Sequence, residues 1–271
     1  MKNVLVTGGA GFIGSNFIRF LLKAEPEVHI VNLDILTYAG SLENLQELPD
    51  PNRHTFVKGD ICDRALVDEL MHKHQVDTIV HFAAETHVDR SIVYPDQFLK
   101  TNVVGTFTLL EAARQYWIVE KALPLEMVRF HHISTDEVFG TLSLEDPAWD
   151  EDTPYDPSSP YSASKAAADL LIKSYVRTHQ FPAIIIRPCN NYGPWQYPEK
   201  FIPVIIYKAM KNEKIPVYGQ GQNIREWLYV EDCCNGILEI FEKGKIGEVY
   251  NLGRGEERKK IEIVNTILKI I

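Results

Sequence analysis

The sequence predicts an α/β protein with a doubly wound parallel sheet and a smaller C-terminal region. Short apolar runs that fit buried strands alternate with segments of helical periodicity through the first 188 residues. A glycine-rich turn follows the first run, and an acidic residue ends the second. Because consecutive parallel strands need crossover helices, ligands are expected at the carboxyl ends of the strands.

The bulk composition is that of an ordinary globular protein, with 271 residues, 45% apolar and 24% charged. The net charge of −9 argues against a nucleic-acid partner, since no overall positive field would attract a phosphate backbone. No apolar stretch approaches the ~18 residues of a membrane span, and no signal peptide is recognisable. We therefore expect no membrane partner and a cytoplasmic location.

The cysteines and histidines do not predict a metal site. Cys62, Cys189, Cys233 and Cys234 lack CxxC spacing and are expected to be reduced, mostly buried thiols. The histidine pairs His72-x-His74 and His131-His132 have no carboxylate or cysteine partners at ligand spacing, so a structural role is expected.

The N-terminal segment carries a dinucleotide-binding pattern of the Rossmann type. A strand over residues 4–7 leads into Gly8, Gly11 and Gly14, and a helix is expected from about Gly11 to Lys23. Glycines at this spacing allow a tight turn and close approach of a pyrophosphate to the helix N-terminus. A second strand, residues 28–33, ends in Asp34, twenty residues after Gly14. An acid there accepts hydrogen bonds from a ribose 2′-hydroxyl and repels a 2′-phosphate, which favours NAD over NADP.

The alternation continues through two further strands, residues 55–57 and 78–82, with a helix over about 63–74 between them. In this fold Asp60-Ile61 would border the adenine, and Ala83-Ala84 would pass under the ribose and nicotinamide. Helix–sheet packing is an alternative reason for the two small residues. A helix from about Pro95 to Tyr116 carries Thr101-Asn102, whose polar side chains need partners.

A third group of polar residues, Ser134 to Gly140, follows the apolar strand predicted over 127–133. Thr135, Asp136 and Glu137 could supply a hydrogen-bond donor, a general acid and a general base. Neighbouring strand residues point to opposite faces, so both acids can reach one pocket only if the backbone leaves strand geometry at Asp136. The proline-containing segment 142–159 is expected to be an exposed loop at the edge of the site.

A long helix, about Tyr161 to Thr178, begins with a Tyr-x-x-x-Lys pattern. Tyr161 and Lys165 lie one turn apart on the same helical face. We expect the Lys165 ammonium to lower the pKa of the Tyr161 phenol, so that the phenolate can take a proton from an alcohol.

These motifs resemble the extended short-chain dehydrogenase/reductase superfamily of nucleotide-sugar epimerases, dehydratases and decarboxylases. Within it, Thr135-Asp136-Glu137, together with residues 36–40, 85–91 and 225–232, is similar to the 4,6-dehydratases that act on dTDP-glucose. The resemblance extends from Met1 to about Asn251. It implies NAD-dependent oxidation at carbon 4, elimination of water across carbons 5 and 6, and return of the hydride to carbon 6.

The resemblance also implies site residues. Tyr161 is the base for the 4-hydroxyl with Lys165 as its partner, Thr135 binds the same oxygen, Glu137 removes the carbon-5 proton and Asp136 protonates the leaving hydroxyl. The cofactor would contact Gly8, Gly11, Phe12, Ile13, Gly14, Asp34, Thr37, Asp60, Ile61, Phe82, Ala83, Ala84, Thr101, Tyr161, Lys165 and Asn191. The substrate would contact Thr86, Thr135, Asn190, Lys200, Phe201, Pro216, Tyr218 and Arg225. For Lys200 and Arg225, surface ion pairing is the alternative, and residues 216–219 would give a strand edge with an aromatic face.

The sequence departs from the family in two ways. Lys260 stands near a position where family members carry Asn, and could replace it as a cation for the diphosphate. The chain stops at Ile271, inside an expected helix, where family members continue, so the substrate region is expected to be incomplete. We predict a Rossmann domain at 1–188 and a substrate region at 189–271, with some segments of the latter returning to the first domain.

Three alternatives stay open at this point. A nucleotide-sugar 4-epimerase or a decarboxylase could use the same scaffold, and a catalytically silent NAD-binding regulator could retain the fold. The choice between thymidine and uridine nucleotides is not made by the sequence. The resemblance implies a homodimer formed through the helices at 95–116 and 161–178.

Overall fold

The computed structural model of the chain describes residues 1–142 and 146–271, and only the backbone of Tyr218 and Gly219. A seven-stranded sheet organises the fold, in the order β3-β2-β1-β4-β5-β6-β9. All neighbours in it are parallel, which confirms the predicted doubly wound architecture. Its strands are β1 (Asn3–Thr7), β2 (His29–Asp34), β3 (His54–Lys58), β4 (Thr78–His81), β5 (Arg129–Ile133), β6 (Ala183–Pro188) and β9 (Val249–Leu252).

Helices cover both faces of this sheet, as parallel sheets require. The helices of the described residues are α1 (Phe12–Ala24), α2 (Arg64–Lys73), α3 (Val88–Val93), α4 (Pro95–Phe98), α5 (Thr106–Ala113), α6 (Pro160–His179), α7 (Phe201–Met210), α8 (Val230–Lys243) and α9 (Lys260–Ile270). Of these, α7 and α9 pack on each other. The central residues of β1 are apolar because both faces of the strand are covered: Val4 and Val6 pack with α1 and α8 on one face. Leu5 packs on the other face with residues of α2 and α5.

The helical segment predicted from Pro95 to Tyr116 is longer and less regular than expected. It runs from α4 through a π-helix at Leu99–Gly105 into α5, and a second π-helix follows at Arg114–Glu120. Asn102, in the first π-helix, finds the partners that a buried amide needs. It accepts from the backbone N–H of Glu85 (2.8 Å), and its amide nitrogen donates to Glu85 O (3.0 Å) and Ser164 Oγ (2.8 Å). This side chain therefore joins the loop after β4 to α6.

The C-terminal part of the chain contributes to two sheets. A three-stranded sheet has the order β10-β8-β7, formed by Glu257–Lys259, Ile224–Tyr229 and Asn190–Tyr192. In contrast, α8 packs on α1, and β9 pairs with β6 at the edge of the main sheet. The division at residue 188 stays a proposal, with residues 230–252 as the segment lying on the first domain.

One local prediction is wrong. Residues 216–219 do not form a strand edge, because a short 3₁₀ helix occupies Tyr218–Gly221 and residues 216–217 have no regular structure. Gly221, with φ +70°, ends this turn in a left-handed conformation that does not fit a strand. The predicted aromatic face of Tyr218 lies outside the described residues.

The four cysteines are free thiols, and Cys189, Cys233 and Cys234 are buried, as predicted. Over residues 1–142 and 146–271, the structure contains no helix that is both long and apolar enough to cross a membrane.

Candidate active site

A cavity of about 540 Å³ lies at the carboxyl ends of the central strands. Most of the predicted site residues line it, although they come from segments far apart in the chain. Those residues are Gly8, Gly11, Phe12, Ile13, Gly14, Asp34, Thr37, Asp60, Ile61, Phe82, Ala83, Ala84, Thr86, Thr101, Thr135, Asp136, Glu137, Tyr161, Lys165, Asn190, Asn191 and Lys200. One cavity is thus lined both by the glycines of the dinucleotide-binding pattern and by Asp136, Glu137 and Tyr161.

The glycine turn lies directly against the loop after β4. Gly8 has φ +72°, and a Cβ placed on it would lie 2.5 Å from the backbone nitrogen of Ala83. Helix α1 begins at Phe12 with Gly11 as its N-cap, so its first N–H groups point toward the cavity lined by these glycines. Backbone this close leaves space for an anionic group at the helix N-terminus.

Asp34 lies at the end of β2 and has only 8% of its surface exposed. Its carboxylate accepts hydrogen bonds from the backbone N–H groups of Ala10 (2.9 Å) and Leu36 (2.8 Å). Burial raises its pKa, and these two hydrogen bonds oppose that effect. Each carboxylate oxygen retains a further lone pair, so Asp34 can also accept from a ribose hydroxyl.

The backbone leaves strand geometry just before Asp136 and Glu137, as the sequence required. Strand β5 ends at Ile133, and Asp136–Phe139 forms a 3₁₀ helix. Thr135 is its N-cap and accepts from the Glu137 N–H at 3.3 Å. Because the turn replaces the two-residue alternation of a strand, Asp136 and Glu137 both line the cavity.

Burial gives the two carboxyl groups unusual acidities. The pKa of Asp136 is raised to about 7, first by burial and second by the charge of Glu137. Burial also raises the pKa of Glu137, while the charges of Arg225 and Lys200 lower it. Asp136 can therefore hold a proton near neutral pH, as a general acid must.

The expectation for Tyr161 is wrong in this structure. Burial and the neighbouring Glu137 carboxylate raise the pKa of the phenol rather than lowering it. The Lys165 ammonium donates to Ile133 O at 2.8 Å and lies 3.4 Å from His132 Nε2. These two contacts anchor the ammonium on β5, next to the helix turn that carries Tyr161. Burial lowers the pKa of Lys165 itself to about 8, opposed by the charge of Asp169.

Three of the predicted substrate contacts, Phe201, Pro216 and Arg225, lie outside the described lining of the cavity. Arg225 is nevertheless close, because its charge lowers the pKa of both Asp136 and Glu137. Phe201 stacks on Trp227 with ring centroids 5.7 Å apart, and Lys260 Nζ lies 5.3 Å from the centroid of the Phe201 ring. An aromatic and cationic cluster thus adjoins the acids.

Several lining residues were not predicted, among them Lys100, Gln196 and Tyr197. Lys100 forms an ion pair with Asp60 at 3.3 Å, and no spacing rule in the sequence indicates it. The buried pair Asp169–Arg187 behind Lys165 was also missed. Its one signal is spacing, since Asp169 follows Lys165 by four residues on the same helix.

Together, the parallel sheet, the glycine turn and the Tyr161/Lys165 pair define a dehydrogenase/reductase of the extended short-chain class, here with two added acids. The sequence model of the family described as GDP-mannose 4,6 dehydratase matches residues 5–270. A dTDP-glucose 4,6-dehydratase of Neisseria gonorrhoeae is 49% identical over 270 residues, which span 100% of this chain and 78% of that protein. One from Xanthomonas campestris pv. campestris (strain B100) is 51% identical over 274 residues, 100% and 76% of the two chains. The chain belongs to the dTDP-glucose 4,6-dehydratase family.

Solved structures agree with this assignment. The dTDP-glucose 4,6-dehydratase of Bacillus anthracis in complex with NAD has a TM-score of 0.89 at 42% identity, covering 100% of this chain and 81% of that one. The Streptomyces venezuelae enzyme, solved with NAD and dTDP bound, has a TM-score of 0.89 at 45% identity and covers 98% and 80%. A UDP-glucose 4-epimerase of Thermotoga maritima shares the fold at 26% identity, with a TM-score of 0.86 and coverage of 99% and 82%.

Proposed function

We propose that this protein is a lyase that uses NAD to convert dTDP-glucose into dTDP-4-keto-6-deoxyglucose, a step of deoxysugar biosynthesis such as that leading to rhamnose. The observation that carries the proposal is the placement of Asp136 and Glu137 in one cavity with Tyr161, beside the dinucleotide-binding turn. An epimerase or decarboxylase needs the oxidation residues but has no use for two further acids that face the same hexose.

The cavity fits NAD by its own features. The close contact of Gly8 with Ala83 leaves only backbone where a pyrophosphate must approach, and Asp34 presents a carboxylate to a ribose. When bound, NAD takes up a hydride from carbon 4, returns it at carbon 6, and adds the positive charge of its oxidised ring to the cavity. That charge opposes the effect of the two carboxylates on the Tyr161 phenol.

The oxidation is assigned to α6 and the strand tip. Tyr161 removes the proton of the 4-hydroxyl, and the Thr135 hydroxyl binds the same oxygen. Lys165, anchored to Ile133 O, supplies the nearby positive charge and a donor for the cofactor ribose. The three groups come from α6 and from the end of β5, so the sheet and the helix fix their separation.

The elimination is assigned to the 3₁₀ turn. The new ketone acidifies the proton on carbon 5, which Glu137 removes. Asp136, protonated near neutral pH because of its raised pKa, donates to the departing 6-hydroxyl. The raised pKa of Glu137 makes this carboxylate a stronger base than an exposed glutamate.

For the nucleotide part we propose the residues around the second sheet. Lys200 and Arg225 supply cations for the diphosphate. Lys260 lies near Arg225, because burial and, second, the charge of Arg225 lower the pKa of Lys260. Asn190 contacts the sugar and Asn191 the cofactor. Phe201, Pro216 and Tyr218 complete the nucleoside site.

We also propose a homodimer in the cytoplasm. Leu99, Val104 and Phe107 are exposed on the helical segment 95–120, and Leu170 is exposed on the neighbouring α6. An apolar surface of this kind is typical of a helical interface. The four free thiols fit a reducing compartment. Sedimentation of Phe107→Glu against the wild type tests the dimer.

The activity is tested by incubating the purified protein with dTDP-glucose and NAD and recording the product mass. Loss of one water per sugar is expected, whereas an epimerase leaves the mass unchanged and a decarboxylase acts only on a uronic acid. UDP-glucose, supplied in parallel, tests the nucleotide. An unchanged sugar of unchanged configuration would support a silent NAD-binding protein and overturn the proposal.

A further inference from the structure

A buried charged network lies behind Lys165. Its residues lie outside the 3₁₀ turn that carries Asp136 and Glu137, but the network contacts that turn in space. Asp169 and Arg187 are fully buried and form an ion pair, with Arg187 Nε 3.1 Å from Asp169 Oδ2. Tyr155, in the segment that precedes α6, donates to the same carboxylate oxygen at 3.4 Å and accepts a hydrogen bond from Arg187 Nη2. A buried charge pair with this many contacts costs desolvation free energy, so its presence calls for a reason.

Asp169 continues the face of α6 that carries the oxidation residues. Tyr161, Lys165 and Asp169 are spaced by four residues and therefore follow one another, turn by turn. His132 on β5 connects the last two, since its Nε2 lies 3.4 Å from Lys165 Nζ and 3.5 Å from Asp169 Oδ1. The carboxylate is thus one side chain away from the ammonium.

Arg187 connects Asp169 to the 3₁₀ turn that carries Asp136 and Glu137. Its guanidinium lies over the ring of Phe139 at 4.7 Å and over that of Tyr155 at 4.8 Å. Phe139 is the last residue of the 3₁₀ helix that carries Asp136 and Glu137. Asp169 is therefore linked through His132 to Lys165, which serves the oxidation, and through Arg187 to the turn that carries the two acids of the elimination.

We propose that Asp169 is a positioning residue for the oxidation step: paired with Arg187, its carboxylate keeps Lys165 charged and fixed behind Tyr161. This inference rests on the proposed function for its reaction step. It does not make Asp169 a catalytic residue, because the side chain does not reach the cavity lining.

Of the titratable groups around Lys165, Asp169 is the one whose negative charge raises the pKa of the ammonium. They are Tyr161 and Asp169 on α6, His132 on β5, His81 on β4 and Arg187 on β6, with Asp136 and Glu137 facing Tyr161 from the turn. Burial, and then the charge of Lys165, hold the pKa of His81 and of His132 well below the ordinary value, so both are neutral. Burial raises the pKa of Asp169, but the charges of Arg187 and Lys165 favour its ionised form.

The test measures the pH dependence of the oxidation half-reaction in Asp169→Asn. In the wild type, NADH formation in a single turnover should fall above about pH 8, the pKa of Lys165. Without the Asp169 charge, this alkaline limb should move down by about one pH unit or more, which lowers the rate at pH 8 about fivefold while activity near pH 6 is retained. Tyr155→Phe removes a contact of the same network without a charge and should keep the wild-type limb.

A second variant guards against misfolding, because Asp169→Asn leaves Arg187 unpaired in the core. Asp169→Asn/Arg187→Gln removes both charges at once and should move the alkaline limb in the same direction by a smaller amount, because the loss of the Arg187 cation offsets part of the loss of the carboxylate. The readout that needs no substrate is the titration of the Lys165 ε-carbon by ¹³C NMR, with the resonance assigned from Lys165→Met. Its midpoint should fall in either variant.

An alkaline limb or an NMR midpoint equal to the wild type, in a folded variant of either kind, would overturn the inference. A shift in Tyr155→Phe as large as in Asp169→Asn would overturn it too, because packing rather than charge would then be responsible. If the wild type forms no NADH from dTDP-glucose, the proposed function fails, and the NMR titration still decides the role of Asp169.

Discussion

Asp136 and Glu137 are neighbours in the chain, and both side chains line the cavity that also contains Tyr161. The arrangement depends on the 3₁₀ turn that begins immediately after Thr135. In a continued strand one of the two carboxylates would point to the opposite face of the sheet. The turn therefore brings two adjacent carboxyl groups to the same cavity.

We expect Asp136→Asn and Glu137→Gln to stop the reaction after oxidation. Each removes one proton-transfer group of the elimination, which contributes about 10²–10⁴-fold to the rate. NADH should accumulate at 340 nm together with a nucleotide sugar that is two hydrogens lighter than the substrate, and the loss of water should slow by that factor. Glu242→Gln, a charge-neutralising change at an exposed site on α8, serves as control. Loss of water at the wild-type rate in both variants would exclude these residues as acid and base.

The raised pKa of Asp136 predicts a pH-dependent cost to stability. Its folded-state pKa of about 7 lies above the ordinary value near 3.9, so between these values the folded state binds more protons than the unfolded state. The free energy of unfolding from this group is therefore highest below about pH 4 and falls as the pH rises to 7. Asp136→Asn should be more stable than the wild type at pH 8, with the difference vanishing near pH 4. Urea unfolding in the same cofactor state at both pH values measures this, and equal differences would contradict it.

Gly8→Ala should destabilise the protein and weaken NAD binding. The new Cβ would meet the backbone of Ala83 at 2.5 Å, in addition to the strain of φ +72°. Gly255→Ala is a matched control, because Gly255 has φ +77° but no atom within 4 Å of such a Cβ. Thermal unfolding should show the larger loss for Gly8→Ala, by at least about 1 kcal/mol beyond the strain common to both. Equal losses would mean that the contact with Ala83 has no effect.

Asp34→Asn should reduce the preference for NAD over NADP. The neutral amide can still accept a backbone hydrogen bond, but it no longer repels a 2′-phosphate or offers a charged acceptor to the ribose. We expect NAD binding to weaken by about 1.5–3 kcal/mol, or tenfold and more, with a smaller change for NADP. Titration calorimetry with both cofactors measures the ratio. An unchanged ratio would show that Asp34 acts only on the backbone of Ala10 and Leu36.

The sequence determined the fold and much of the candidate site because these rest on local rules. Buried strands of a parallel sheet are apolar on both faces, a pyrophosphate turn needs glycine, and a four-residue spacing on α6 places Tyr161 and Lys165 on one face. Asp34 could be assigned in the same way from its place at the end of the second strand.

Only the tertiary structure decided the electrostatics. The acidity of Tyr161, expected to increase, decreases instead, because burial and Glu137 act on it while Lys165 is held by Ile133 O. The Asp169–Arg187 pair joins α6 to β6, and no local pattern fixes such a contact. A pKa depends on every charge and on the solvent around a group, and these come from segments brought together by folding. The sequence therefore specified which groups are present, and the packing of distant segments set their protonation states.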